Sequence, residues 1–133
     1  MTPTTPNPVF RHSQKTLDRA TRAVRCAPFY MRLYTLMLDQ SVTLSSLVGL
    51  SGTRQQLTKR MLSELSADGE MLWLIQVGLL RREVDGQGLT DSFRLTPLGR
   101  QLVSQWRSVG GFGKASFRDQ VFNALTRWLR LPI

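Results

Sequence analysis

Residues 43–106 read TLSSLVGLSGTRQQLTKRMLSELSADGEMLWLIQVGLLRREVDGQGLTDSFRLTPLGRQLVSQW, and the spacing within this stretch decides the fold. Thr43 is placed to cap a short helix whose Leu44, Leu47 and Val48 face inward. Gly49 and Gly52 then supply a sharp turn. Thr53 followed by Gln56 has capping-box spacing, so a second helix is predicted to start at Thr53. Leu57, Met61 and Leu65 recur every four residues and mark its buried face. The opposite face is Gln55, Gln56, Lys59 and Ser63, with Arg60 at its margin. Asp68-Gly69 is expected to break or kink the helix, and the segment from Met71 to Val77 is apolar enough to be buried. Gly78 fits a helix C-cap.

After Gly78 the pattern changes. Leu79 to Val84 and Ser92 to Leu95 read as two short strands around a loop holding Asp85-Gly86 and Gly88. Thr96-Pro97 is an N-cap with proline at the first helical position, and Leu98, Leu102 and Trp106 form the apolar face that follows. Helix, turn, helix, buried segment, hairpin and closing helix is the order of a winged helix-turn-helix. The segment GLLRREVDGQGLTDSFRLTPLGRQLV (78–103) resembles the wing and closing helix of MarR-type bacterial regulators. Gly78, Leu79 and Leu80 match the family's step into the first wing strand; Leu95, Thr96, Gly99 and Arg100 match its step into the next helix. Over residues 43–106 the resemblance implies a small transcriptional regulator. The expected fold is mainly α with a small β-hairpin, a winged helix with helical extensions at both ends.

The chain has 133 residues, enough for one domain with a single core. Residues 1–12 read as a flexible lead, 13–27 as a basic helical arm, 28–108 as the winged-helix domain, and 109–133 as a glycine hinge with an amphipathic helix. In the arm Leu17, Ala20, Val24 and Ala27 mark one face, while Arg11, Lys15, Arg19 and Arg22 make a basic stripe. A solvated helix face is the plain alternative for that stripe. Pro28 ends the arm, and Phe29, Leu33, Leu36 and Met37 mark a core-facing helix closing near Gln40. Gly110, Gly111 and Gly113 surround Phe112, and the last helix carries Phe117, Val121, Leu125 and Trp128 at spacings of four, four and three.

The net charge of +9 is placed unevenly: +4 in residues 1–27, +2 in 53–66 and +3 in 109–133. Such an excess points to a polyanionic partner, and duplex DNA is the expected one. Glutamine can pair with adenine, and Arg or Lys with guanine or phosphate, so Gln55, Gln56, Lys59, Arg60 and Ser63 are the candidate reading face of a helix from Thr53 in the major groove. Arg11, Lys15, Arg19 and Arg22 would neutralise phosphates. Arg81, Arg82 and Arg94 can touch backbone from the wing, or pair with Glu83, Asp85 and Asp91 beside them. Two features depart from a DNA reader: that acidic wing, and an insertion of about ten residues from Ala67 to Gln76. They favour the alternative of a protein-interaction adaptor that docks its partner through the terminal helix. For Phe117, Val121, Leu125 and Trp128 the leading expectation is a homodimer interface, next packing on the chain's own core, with a membrane surface the least favoured.

Catalysis finds no support. His12 is the one histidine, the nine carboxylates are scattered, and no metal-ligand or phosphate-loop spacing occurs, so no enzyme, cofactor or metal is expected. Cys26 is a lone thiol, which fits a reducing cytoplasm. Met1 to Val9 has no apolar core for a signal peptide, and the ten-residue run from Met71 to Leu80 is too short to span a bilayer.

Overall fold

The computed structural model describes residues 12–129. Its helices are α1 (Gln14–Cys26), α2 (Met31–Leu36), α3 (Gly49–Arg54), α4 (Glu64–Gln76), α5 (Pro97–Val109) and α6 (Phe117–Trp128). Strands β1 (Val42–Thr43), β2 (Leu80–Asp85) and β3 (Gly88–Leu95) form one antiparallel sheet in the order β1-β3-β2. This mainly α arrangement with a small three-stranded sheet is compatible with a winged helix. The expected hairpin is present, and β1 adds an edge by pairing Val42 with Phe93. Residues 1–11 of the lead, with Arg11, and Arg130 near the other end lie outside the described residues.

Several predicted boundaries hold. Ser13 caps α1 by accepting the Thr16 N–H, and Ala20, Ala23 and Val24 are buried beneath that helix. Leu44 to Leu47 form a 3-10 turn after Thr43, with both leucines buried. Thr96 caps α5 by accepting the Gly99 N–H at 3.0 Å, and its hydroxyl donates to the Gly78 and Leu79 carbonyls. The α5 start is thereby tied to the end of α4 and the start of the sheet. Gly99 is required by that approach: a Cβ there would lie 2.3 Å from the Leu79 carbonyl oxygen. Arg100 fastens the same helix to the end of α2 through the Leu38 carbonyl at 3.0 Å. At the far end of α5 Phe112 packs edge-on against Tyr34 and Trp106, at centroid distances of 5.9 and 5.6 Å. The Tyr34 hydroxyl is buried among these rings without a partner in the described residues, and burial pushes its phenol far up.

The helix predicted from Thr53 does not exist. Thr53 lies inside α3, which has already begun at Gly49, and its hydroxyl donates to the Leu50 carbonyl at 3.2 Å. Gln56 is no capping-box partner. It adopts φ 59°, the left-handed residue that ends α3, with Gln56 N–H bonded to the Thr53 carbonyl and Leu57 N–H to the Gly52 carbonyl. The chain then runs through a loop, residues 55–63, held to the segment before α2 by Tyr30 N–H to the Leu57 carbonyl and Lys59 N–H to the Pro28 carbonyl. Leu57 and Leu62 are buried along it. Met61 and Leu65, predicted to be buried, are 60% and 84% exposed. The next helix is α4, capped by Ser63, whose hydroxyl accepts the Ser66 N–H at 3.1 Å.

Asp68-Gly69 does not break α4. Ala67, Met71 and Leu74 form its inward face at spacings of four and three, and both residues of the supposed break have partners. Asp68 accepts from Arg82 at 3.0 Å, and the Gly69 carbonyl accepts from Arg127 at 3.3 Å. The helix ends at Gly78 (φ 88°), with Leu79 N–H on the Leu74 carbonyl and Gly78 N–H on the Ile75 carbonyl.

Candidate nucleic-acid interface

The residues predicted to read DNA stand together, on a loop rather than a helix. Gln55, Gln56, Lys59 and Arg60 are all exposed on the 55–63 loop, and Arg54, which the sequence reading leaves out, is exposed beside them at the end of α3. Arg32 joins them from α2, its Nε donating to the Gln55 carbonyl at 2.9 Å. The Lys59 ammonium sits 5.9 Å from the centre of the Tyr30 ring. Tyr30, Arg32, Thr53, Gln56, Thr58 and Lys59 line an open groove of about 490 Å³. Arg32, Arg54, Lys59 and Arg60 form no ion pair with a carboxylate among the described residues. Their charge faces solvent undiminished. The loop keeps its shape because Thr58 is buried under Gly52, where an added Cβ would meet the Thr58 hydroxyl oxygen at 2.6 Å.

Two of the predicted readers are otherwise occupied. Gln55 donates its side-chain amide to Ser51 at 2.8 Å, and Ser63 caps α4. Arg32 escapes sequence reasoning altogether, because only the fold brings residue 32 beside residue 55. Tyr30 next to it, an aromatic flanked by basic residues in space, leaves no one-dimensional signal either.

Helix α4, the last helix before the hairpin, carries no cation from Glu64 to Gln76. Its solvent-facing residues are Glu64, Leu65, Ser66, Leu72 and Gln76. Glu64 in the first turn suits the helix dipole and would repel a phosphate. The wing is internally neutralised. Arg82 pairs with Asp68 at 3.0 Å and Asp91 at 3.3 Å and lies over the Phe93 ring, while Arg94 pairs with Glu83. Of the two readings open for the wing arginines, Arg82 and Arg94 follow charge pairing, and Arg81 stays exposed without an ion pair among the described residues. Such part-exposed pairs add little stability, but they remove these cations from the outward field.

The basic arm is divided by its packing. Lys15 is exposed, whereas Arg19 and Arg22 are half-buried. Arg22 and Arg118 both face the Phe122 ring, at 5.6 and 5.2 Å from its centre. Arg25 donates to the Phe112 carbonyl at 2.6 Å and pairs with Asp119 at 3.5 Å. Next to it the half-buried Cys26 thiol is pushed up, first by burial and then by the Asp119 charge. Helix α6 turns its polar side inward: Asn123 accepts from the Trp73 indole at 3.0 Å, and Arg127 pairs with Glu70 at 3.0 Å. Phe117 and Trp128 are left 71% exposed, Val121 is 39% exposed, and Leu125 is half-buried. No described helix is long and apolar enough to cross a membrane.

The Npun_F0494-like family model matches residues 10–127 of this chain. No curated protein and no solved structure matches.

Proposed function

The chain belongs to the Npun_F0494-like family, and from that premise we propose that it binds duplex DNA through phosphate contacts made by the loop between α3 and α4. The observation that carries this reading is the cluster of Arg32, Arg54, Lys59 and Arg60, exposed and without carboxylate partners among the described residues. The cluster stands just before the N-terminus of α4, where a winged helix approaches a duplex. The likeness of residues 78–103 to MarR-type regulators supports the same conclusion, and a small cytoplasmic regulator is the matching role. Base reading, expected of a helix from Thr53, is not part of this proposal. A cation-free α4 and a neutralised wing favour binding that tolerates sequence, because phosphate contacts position a protein without specifying bases.

The test is a shift assay on mixed-sequence duplex over a range of salt. Arg54→Ala, Lys59→Ala and Arg60→Ala combined should weaken binding alike on all sequences. The slope of log affinity against log salt should shrink by about 0.9 for each phosphate left unneutralised. All three side chains are exposed, so folding should be unchanged. An intact protein that fails to shift DNA at low salt, or a triple variant with the same slope, overturns the proposal. A protein-docking adaptor is the second reading, favoured by the bare apolar side of α6.

A further inference from the structure

We propose that α6, with the groove it forms against α1, seats on an anionic lipid surface. This proposal is independent of the DNA reading, because it uses none of the residues of the 55–63 loop. Three observations carry it.

The first is the orientation of α6. An amphipathic helix at a domain surface normally turns its apolar side inward. Here Asn123, Thr126 and Arg127 face the domain, while Phe117, Val121, Trp128 and Leu129 face out. The outward side is aromatic at both ends, which suits the boundary between headgroups and acyl chains.

The second is the charge of the rim. Lys114 and Arg118 are exposed beside the apolar side, and Arg118 lies between that side and the α1 groove. Asp119, the carboxylate of α6, lines the groove with its charge engaged: it accepts the Ser116 N–H and pairs with Arg25. Asp18 on α1 also lines the groove and accepts from Gln14. The outward rim is therefore cationic. A second copy of the chain fits it poorly, since a twofold contact sets the patch against itself and brings Arg118 and Lys114 toward their own counterparts. Anionic headgroups complement it.

The third is the groove. Arg22, Arg25 and Arg118 line a space of about 280 Å³ together with Asp18, Asp119, Thr21 and Phe122, three cations against two carboxylates. Arg22 Nε and Nη2, the two donors of one guanidinium edge, are buried without an acceptor among the described residues. Arg22 and Arg118 have no carboxylate partner among the described residues, so the groove keeps a net positive charge that a phosphodiester complements.

The experiment uses the whole chain with vesicles of phosphatidylcholine alone or mixed with phosphatidylglycerol. Trp73 and Trp106 are 7% and 6% exposed against 71% for Trp128, so a blue shift in tryptophan emission on adding vesicles reports Trp128 entering an apolar layer. We expect that shift, and co-sedimentation, with anionic vesicles only, weakened by salt. Phe117→Ser with Trp128→Ser should lose at least about tenfold in partitioning, in line with two exposed aromatics leaving the interface. Both are exposed, and circular dichroism checks that the variant folds. Arg118→Ala should reduce the preference for anionic over neutral vesicles. No partitioning, equal binding to both vesicle types, or a stable dimer in which Trp128 is already shielded overturns the proposal. The serine variant should still shift DNA and the loop variant should still bind vesicles, so either proposal can fail alone.

Discussion

Two threonines in this chain carry the same local signal and end in opposite roles. Thr96 precedes Pro97 and a helical pattern; Thr53 precedes Gln56 by three and a four-residue apolar spacing. Thr96 is a cap because its hydroxyl is held at both ends, by the Gly99 N–H on one side and the Gly78 and Leu79 carbonyls on the other. Thr53 is not, because the chain turns at Gly49, where φ is 59° and the N–H reaches the Leu62 carbonyl at 2.8 Å. A helix is therefore already running when it arrives at Thr53. Capping spacing states that a helix can start; long-range bonds decide whether it does. That difference decides the candidate site too, since it puts Gln55, Gln56, Lys59 and Arg60 on an exposed loop instead of a helix.

The sharpest break of this comparison is Gly99→Ala. If the α5 start is fixed by its crossing over Leu79, an added methyl 2.3 Å from a backbone oxygen has nowhere to go. Overpacking against main chain should cost about 3 kcal/mol or somewhat more in a urea melt. A loss under about 1 kcal/mol would show that the crossing is loose and that Thr96 caps for purely local reasons.

A smaller effect is expected at the cap that sequence reasoning passes over. Ser63→Ala should lose about 1 kcal/mol, the usual worth of a serine N-cap, because it frees the Ser66 N–H at the start of α4. Thr53→Ala, inside α3, serves as the control and should cost clearly less. Equal losses would make Thr53 a helix start.

Much of the fold is legible in the sequence because its signals are local. The start of α1, the turn at Gly78 and the hairpin each depend on residues within a few positions of one another. The region 53–76 misleads because its true determinants are distant. Leu57, Met61 and Leu65 match a helical period, but the buried residues are Leu57 and Leu62, on a loop pinned to Pro28 and Tyr30. The real helical period, Ala67–Met71–Leu74, runs straight through Asp68-Gly69, which looks like a break until Arg82 and Arg127 are seen to hold it. At the site the cations are visible in the sequence but their neighbours are not. The sequence offers pairing of Arg82 and Arg94 as one of two readings without deciding it, and nothing in one dimension shows that Arg32 stands beside the loop.

The smallest effect is also the most discriminating, because the two readings of residue 56 differ in sign. In a helix from Thr53, Gln56 would lie in the first turn, and Gln56→Gly would destabilise by roughly 0.5–1 kcal/mol through lost helical preference. In the structure Gln56 stands at φ 59°, exposed, closing α3 with the hydrogen bonds glycine usually makes. A side chain held in that conformation carries strain of about 1–2 kcal/mol. Glycine removes the strain but adds about 0.4–1 kcal/mol of freedom to the unfolded chain. The net should be a gain of roughly 0.5–1 kcal/mol, read as a higher urea midpoint with an unchanged slope. No side-chain hydrogen bond of Gln56 is removed among the described residues, so nothing else offsets that gain. A midpoint that falls instead would mean that residue 56 is helical and that the loop carrying Lys59 and Arg60 is a helix after all.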